Sequence, residues 1–234
     1  VEAGAAVALL ARGQAALDAA RAEIAARFQG ARVFAVAADV STAEGCAAAA
    51  GQAMAELGRV DILVNNAGTS QRGPFLAVDD ALWQADLDLK LFAAIRLTRA
   101  VWPGMAERGW GRVLNVLSTA AKAPPAEGAP TAVTRAAGMA LTKVLAGEGA
   151  KHGILVNALL VGIIESDQWV RRHAADPRGL SWEDWKRDAA RGVPLGRLGT
   201  AEEFAALATF LASDQAGYVT GTAINVDGGR SPVV

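Results

Sequence analysis

Short apolar runs of strand length alternate along the chain with longer stretches whose apolar residues recur at helical spacing. Residues 5–12, 32–40, 60–68, 111–119, 154–162 and 222–227 read as strands. Residues 14–29, 82–107, 130–149 and 200–212 read as helices. Ser41-Thr42-Ala43-Glu44 has the form of a capping box and opens a further helix that runs to Leu57. The continuous run Ile62-Leu63-Val64 predicts a strand buried on both faces. Pro103 predicts a kink or break in the long helix over 82–107, and Pro130 suits the first turn of the helix that follows it. Residues 166–193 are polar, rich in tryptophan and predicted to form a helical lid. Strands alternating with helices in this order predict an α/β fold, a doubly wound parallel sheet in three layers α/β/α. There is no internal repeat or linker, so 1–234 reads as a single domain.

Composition narrows the function. Apolar residues make up 52% of 234 and charged residues 20%, a globular balance with ample material for a core. A formal net charge of −1 argues against a nucleic-acid partner. The single cysteine, Cys46, excludes an internal disulfide and reads as a small buried apolar residue. The apolar runs are too short for a membrane span, and no signal peptide is evident, so a cytoplasmic location is expected. No His, Asp or Glu spacing suggests a metal site.

Several motifs in order resemble one family. Asn65-Asn66-Ala67-Gly68 follows a buried strand, and Asp39-Val40 ends an earlier one. Val156-Asn157-Ala158-Leu159-Leu160-Val161-Gly162 forms a strand-to-turn signature, with Val161 where a proline is usual. Pro194-Leu195-Gly196-Arg197, Thr220-Gly221-Thr222 and Asn225-Val226-Asp227-Gly228-Gly229 close the chain. Together these resemble the short-chain dehydrogenase/reductase family, of the 3-oxoacyl-ACP-reductase kind, over essentially the whole chain. The resemblance implies a Rossmann-like fold and an NAD(P)-dependent oxidoreductase acting on a carbonyl or alcohol of a small-molecule substrate. It implies cofactor contacts from Arg12, Asp39, Val40, Asn65, Ala67, Gly68, Arg135, Gly162 and Ile164. A basic residue at Arg12, after the first strand, implies NADP(H) rather than NAD(H), because a guanidinium pairs with a 2′-phosphate. The family's Thr-Gly-x-x-x-Gly-x-Gly loop is not in the sequence; with the central strand before it, it is expected upstream of Val1.

The same resemblance exposes a departure. The family places a catalytic Ser at a strand end, then a Tyr-x-x-x-Lys helix, with a structural Asn on the preceding long helix. Ser118 is retained, but Thr131 stands at the Tyr, Arg135 at the Lys and Lys90 at the Asn. Threonine does not ionise usefully near neutral pH, whereas a phenol starts from a pKa of about 10. Lys90 and Arg135 are two cations in one pocket, and lysine is the one whose pKa shifts. Lys90 is thus a candidate general acid and Arg135 a holder of an oxyanion or carboxylate. The rival reading is a catalytically silent nucleotide- or ligand-binding pseudoenzyme of the same fold.

Elsewhere the candidates are weaker. Trp169, Trp182 and Trp185 put three of the six tryptophans in the lid; they pack it down or line an apolar pocket. His173 is expected to be solvated in the lid, His152 to serve a helix end, and Tyr218, the lone tyrosine, to be structural. Leu87, Leu91 and Ile95 form a stripe on the long helix, which with the helix over 130–149 corresponds to the family's dimer-forming pair. A homodimer or homotetramer is expected.

Overall fold

A computed structural model describes residues 1–234. In chain order the elements are β1 Val7–Ala11, α1 Gln14–Arg27, β2 Val33–Ala37, α2 Ala43–Leu57, β3 Ile62–Asn65, α3 Asp80–Leu87, α4 Ala93–Arg108 and β4 Gly111–Ser118. They continue with α5 Thr131–Gly149, β5 Ile154–Val161, α6 Asp167–Ala174, α7 Trp182–Ala189, α8 Ala201–Ala212 and β6 Ala223–Val226. All strand pairings between these elements are parallel, as the alternation predicts.

The strands fall into two groups, β1–β2 and β3–β4–β5–β6. Between the unpaired edges of β1 and β3 runs an apolar cleft of about 500 Å³. Val64, in the run expected to be buried on both faces, lines this cleft and is 48% exposed.

β4 and β5 form the buried spine. Their side chains alternate between faces with the period of a strand. Val113 and Val156 pack with Val101 and Met105 of α4, whereas Leu114 and Leu159 pack with Leu211 of α8 on the other face. Helices thus cover both faces, completing the three layers. Gly138 lets α5 lie close on β4, since a Cβ there would come within 2.8 Å of Leu117. No helix is long and apolar enough to cross a membrane.

Three local expectations change. The cap of α2 is Thr42, which accepts from the Gly45 amide; Ser41 turns back to Asp39, so Ser41 and Glu44 form no capping box. Asp39 outcompetes the helix end by offering a carboxylate to both the amide and the hydroxyl of Ser41. Pro103 lies inside α4 without ending it. The long helical stretch is interrupted further upstream, by a π-helical segment at Asp88–Phe92 between α3 and α4. Such widened turns often occur at functional sites.

Candidate active site

The π-helical segment turns Lys90 inward, beneath the start of α5. Its side chain is 1% exposed. A buried ammonium needs partners, and it has two: it donates to Asp86 on α3 and, across 2.7 Å, to Thr131 Oγ1. Thr131 is the first residue of α5 and is tied to the preceding loop by a second bond, the Gln71 amide donating to Thr131 Oγ1 at 3.0 Å. The Thr131 amide answers by donating to the Gln71 carbonyl. One turn on, Thr134 donates its hydroxyl to the second Asp86 oxygen at 2.6 Å. Arg135 follows, half-buried, with Nη1 donating to the Val116 carbonyl at 2.9 Å.

These contacts bring together Lys90, Thr131 and Arg135 as the motif spacing implies, but they change the electrostatics. The two cations are not bare, because the Asp86 carboxylate pairs with Lys90 and its charge also acts on Arg135. Burial pushes the Lys90 ammonium below the usual lysine value, the Asp86 bond and charge pull it back up, and the Arg135 charge adds to the lowering. Burial brings Arg135 down to about 10, against the pull of Asp86, so it remains a cation at neutral pH. Asp86, Thr134 and Gln71 escape a motif search. The signal for Asp86 is an acid four residues before a lysine, a spacing that ordinarily marks a surface ion pair.

Ser118 lies at the C-terminal end of β4, half-buried, its Oγ accepting from the Ala120 amide at 3.3 Å. Behind the site Asn115 anchors a polar ladder, accepting from Asn65 Nδ2 at 2.9 Å and donating to Thr142 Oγ1 at 2.9 Å.

The residues assigned to the cofactor gather where a parallel sheet normally receives a nucleotide, at the carboxyl ends of the strands. Arg12 follows β1 and is exposed; Asp39 follows β2. The Ser41 amide and hydroxyl hold the Asp39 carboxyl below the usual range, and the Arg12 charge helps. Val40 is a core residue packed with Cys46 and Ala93, leaving only its backbone for a ligand. Asn65, Ala67 and Gly68 follow β3. A Cβ on Gly68 would stand 2.3 Å from an Arg135 guanidinium nitrogen, so only a glycine turn can pass beside that cation. Asn65 Oδ1 is buried with no hydrogen-bond partner, an acceptor open to a donor. Gly162 and Ile164 follow β5, whose Val161 is in register with Ser118. Backbone at Gly162 passes so near Asp227 that a Cβ would lie 2.5 Å from it. This set fits a dinucleotide, with Arg12 available for an adenosine phosphate and Arg135 beside the catalytic end.

Within the lid, Trp182 and Trp185 stack at 5.5 Å, and Trp169 tilts against Trp185 at 5.9 Å. Trp185 is buried and donates to Asp176 at 2.9 Å. The three tryptophans therefore pack against one another, with Trp169 and Trp182 left half-buried. His173 is not solvated as expected: its Nε2 lies 2.8 Å from the Leu180 carbonyl and its ring packs edge-on to Trp182. Tyr218 is fully exposed.

Comparison with known proteins agrees with this geometry. Residues 1–231 match the family model described as enoyl-(acyl carrier protein) reductase. The acetoacetyl-CoA reductase of Shinella zoogloeoides is 34% identical over 192 residues, 82% of this chain and 76% of that protein. A short-chain oxidoreductase from Pseudomonas aeruginosa PAO1 that contains an atypical catalytic center is 40% identical, superposes with a TM-score of 0.93, and is matched over 100% of this chain and 90% of its own. It has also been solved bound to NADPH. The L-sorbose reductase of Gluconobacter frateurii, complexed with NADPH and L-sorbose, is 35% identical with a TM-score of 0.94, over 99% of this chain and 89% of its own.

Proposed function

The chain belongs to the short-chain dehydrogenase/reductase family, and on that footing we propose that it is an NADP-dependent carbonyl reductase whose proton path runs through Lys90 and Thr131. The coarse activity follows from the family: NAD(P)-dependent oxidoreduction of a carbonyl or alcohol group on a small molecule. The finer reading rests on one observation. Thr131 Oγ1 accepts two N–H bonds, from Gln71 at 3.0 Å and from Lys90 at 2.7 Å. A hydroxyl has two acceptor positions and one proton. With both acceptor positions filled, Thr131 has only its O–H left to offer, and a substrate oxygen is its partner.

Threonine is too weak an acid to give up that proton alone. It can give one while taking one. As negative charge grows on the carbonyl oxygen, Thr131 passes its proton outward and receives a proton from Lys90, so no free alkoxide forms on the threonine. NADPH, when held by the residues after β1, β2, β3 and β5, would supply the hydride for the carbonyl carbon. Lys90 ends as a neutral amine beside Asp86 and regains its proton from solvent. The lowered pKa of Lys90 favours this role, because a general acid works best when its pKa approaches the working pH. Ser118 would donate to the same substrate oxygen, and Arg135, held on the Val116 carbonyl, would offer a fixed cation to the cofactor. Alcohol oxidation runs the same path backwards.

Arg12 supports the choice of NADP over NAD, as do the relatives solved with NADPH. Exposed Val133 and Val144 on α5, with Phe92 near the start of α4, support a twofold homo-oligomer built on those helices.

The test is consumption of NADPH with a panel of ketones, aldehydes and 3-oxoacyl thioesters, alongside NADPH binding. Turnover that vanishes in Thr131→Val while binding persists supports the relay. Tight NADPH binding with no turnover of any carbonyl or alcohol favours the silent fold.

A further inference from the structure

Asp86 belongs to no motif of the sequence, yet it is the one acid in the buried cluster. Its two oxygens are divided between elements: Oδ1 takes the Lys90 ammonium from the π-helical segment, and Oδ2 takes the Thr134 hydroxyl from α5 at 2.6 Å. The residue is 2% exposed. The charges around Lys90 can be followed element by element. α3 contributes Asp86, α5 contributes Arg135, and Asp88 on Lys90's own segment pairs with Arg96 instead, at 3.4 Å. Thr131, the other partner of Lys90, carries no charge. Two cations thus share one anion. An ammonium left here without that anion would face both desolvation and the Arg135 charge.

We propose that Asp86 is the positioning residue of the proton relay: it keeps Lys90 charged and holds Nζ against Thr131 Oγ1, while Thr134 fixes the carboxylate that does so. This rests on the relay described above. Asp86 touches neither substrate nor cofactor, and acts only through Lys90. Thr131 and Thr134 lie one turn apart on α5, so the acceptor of the proton and the brace of the carboxylate move as one body. The donor is therefore aligned with its acceptor before a substrate arrives, as efficient proton transfer requires.

The experiment reads Lys90 itself. The full chain is prepared with ¹³C-labelled lysine, five residues in all, and the Cε shift is followed with pH, with and without NADPH; Lys90→Arg assigns the signal. Lys90 is expected to be charged at pH 7. In Asp86→Asn its midpoint should fall by about one pH unit or more, and in Asp86→Glu it should stay near the original. Thr134→Val, which leaves every charge in place, should not lower it. In Asp86→Asn the high-pH limb of kcat should move down with the midpoint. An unchanged midpoint in Asp86→Asn, an uncharged Lys90 at pH 7, or a fall in Thr134→Val would overturn the proposal. If Asp86→Asn does not fold, the wild-type charge and the Thr134→Val curve decide. Turnover that survives Thr131→Val would defeat the relay and with it Asp86's positioning role, even with the Lys90 titration as expected. Turnover that needs Thr131 and Lys90, with a pH profile that Asp86→Asn leaves alone, would defeat the Asp86 role and spare the relay.

Discussion

Lys90 Nζ lies 2.7 Å from Thr131 Oγ1, and that bond joins a π-helical segment to the first residue of the next long helix. It turns two substitutions into one device. Taken singly, a threonine at a phenol's place and a lysine at an amide's place read as losses. In contact, the lysine can serve as the acid that the threonine lacks.

Removing Lys90 should be costly for stability as well as for turnover. Lys90→Met leaves the Asp86 carboxylate buried without its paired cation and with the Thr134 hydroxyl as its remaining side-chain hydrogen bond. Breaking a buried pair from one side typically costs about 3–5 kcal/mol. A clear fall in thermal midpoint is expected, with recovery of much of it in the double variant Lys90→Met/Asp86→Leu. Additive losses in the two singles and the double would show that the pair is not coupled.

Reduction should lose rate as pH rises. The relay needs Lys90 protonated, and its pKa is lowered from the usual 10.5. The descending limb of kcat should therefore lie below that value. Stability should run the other way. Between the lowered folded pKa and the unfolded one the unfolded chain binds the proton more tightly, so Lys90's contribution to stability rises with pH across that window. A kcat flat to pH 10.5 would remove Lys90 from the proton path.

Arg12 should set the cofactor. Charge-assisted pairing with a 2′-phosphate is worth about 1.5–3 kcal/mol. Arg12→Asp should weaken NADPH far more than NADH in binding titrations. Equal affinities for the two in the unaltered protein would contradict the assignment.

Assembly should follow the exposed apolar residues of α5. Val133 and Val144 are each more than half exposed. Light scattering at micromolar concentration should give a dimer or tetramer, and Val133→Lys/Val144→Lys should shift it toward monomer. A monomer in the unaltered protein would refute a twofold interface on this helix.

The strand–helix alternation, the layers and most element ends were legible because β4 and β5 are buried on both faces and are largely apolar. Val64 misled for the same reason: its run is equally apolar, but it borders the open cleft between β1 and β3. Ser118, Thr131, Arg135 and Lys90 could be placed by motif spacing, which survives a change of residue. Asp86 could not, because an acid four residues before a lysine says nothing about which way the pair faces. In the fold both members of the pair are buried, with the lysine on the widened turn at Asp88–Phe92. The roles of His173 and the lid tryptophans depend on contacts with one another, and spacing could narrow them without deciding.

The most direct measurement is the NADPH-dependent turnover of Thr131→Val beside Thr131→Ser and Thr131→Tyr. Valine keeps the shape and removes the hydroxyl, so kcat should fall by roughly 10²–10⁴-fold, the usual worth of positioned proton transfer, with NADPH affinity unchanged. Serine keeps the hydroxyl and should retain most of the rate. Tyrosine should not yield a competent reductase, because Arg135 stands where the family has lysine and a forked guanidinium does not reproduce a compact ammonium. Undiminished turnover in Thr131→Val, or robust carbonyl reduction by Thr131→Tyr, would contradict a relay through Lys90 and Thr131.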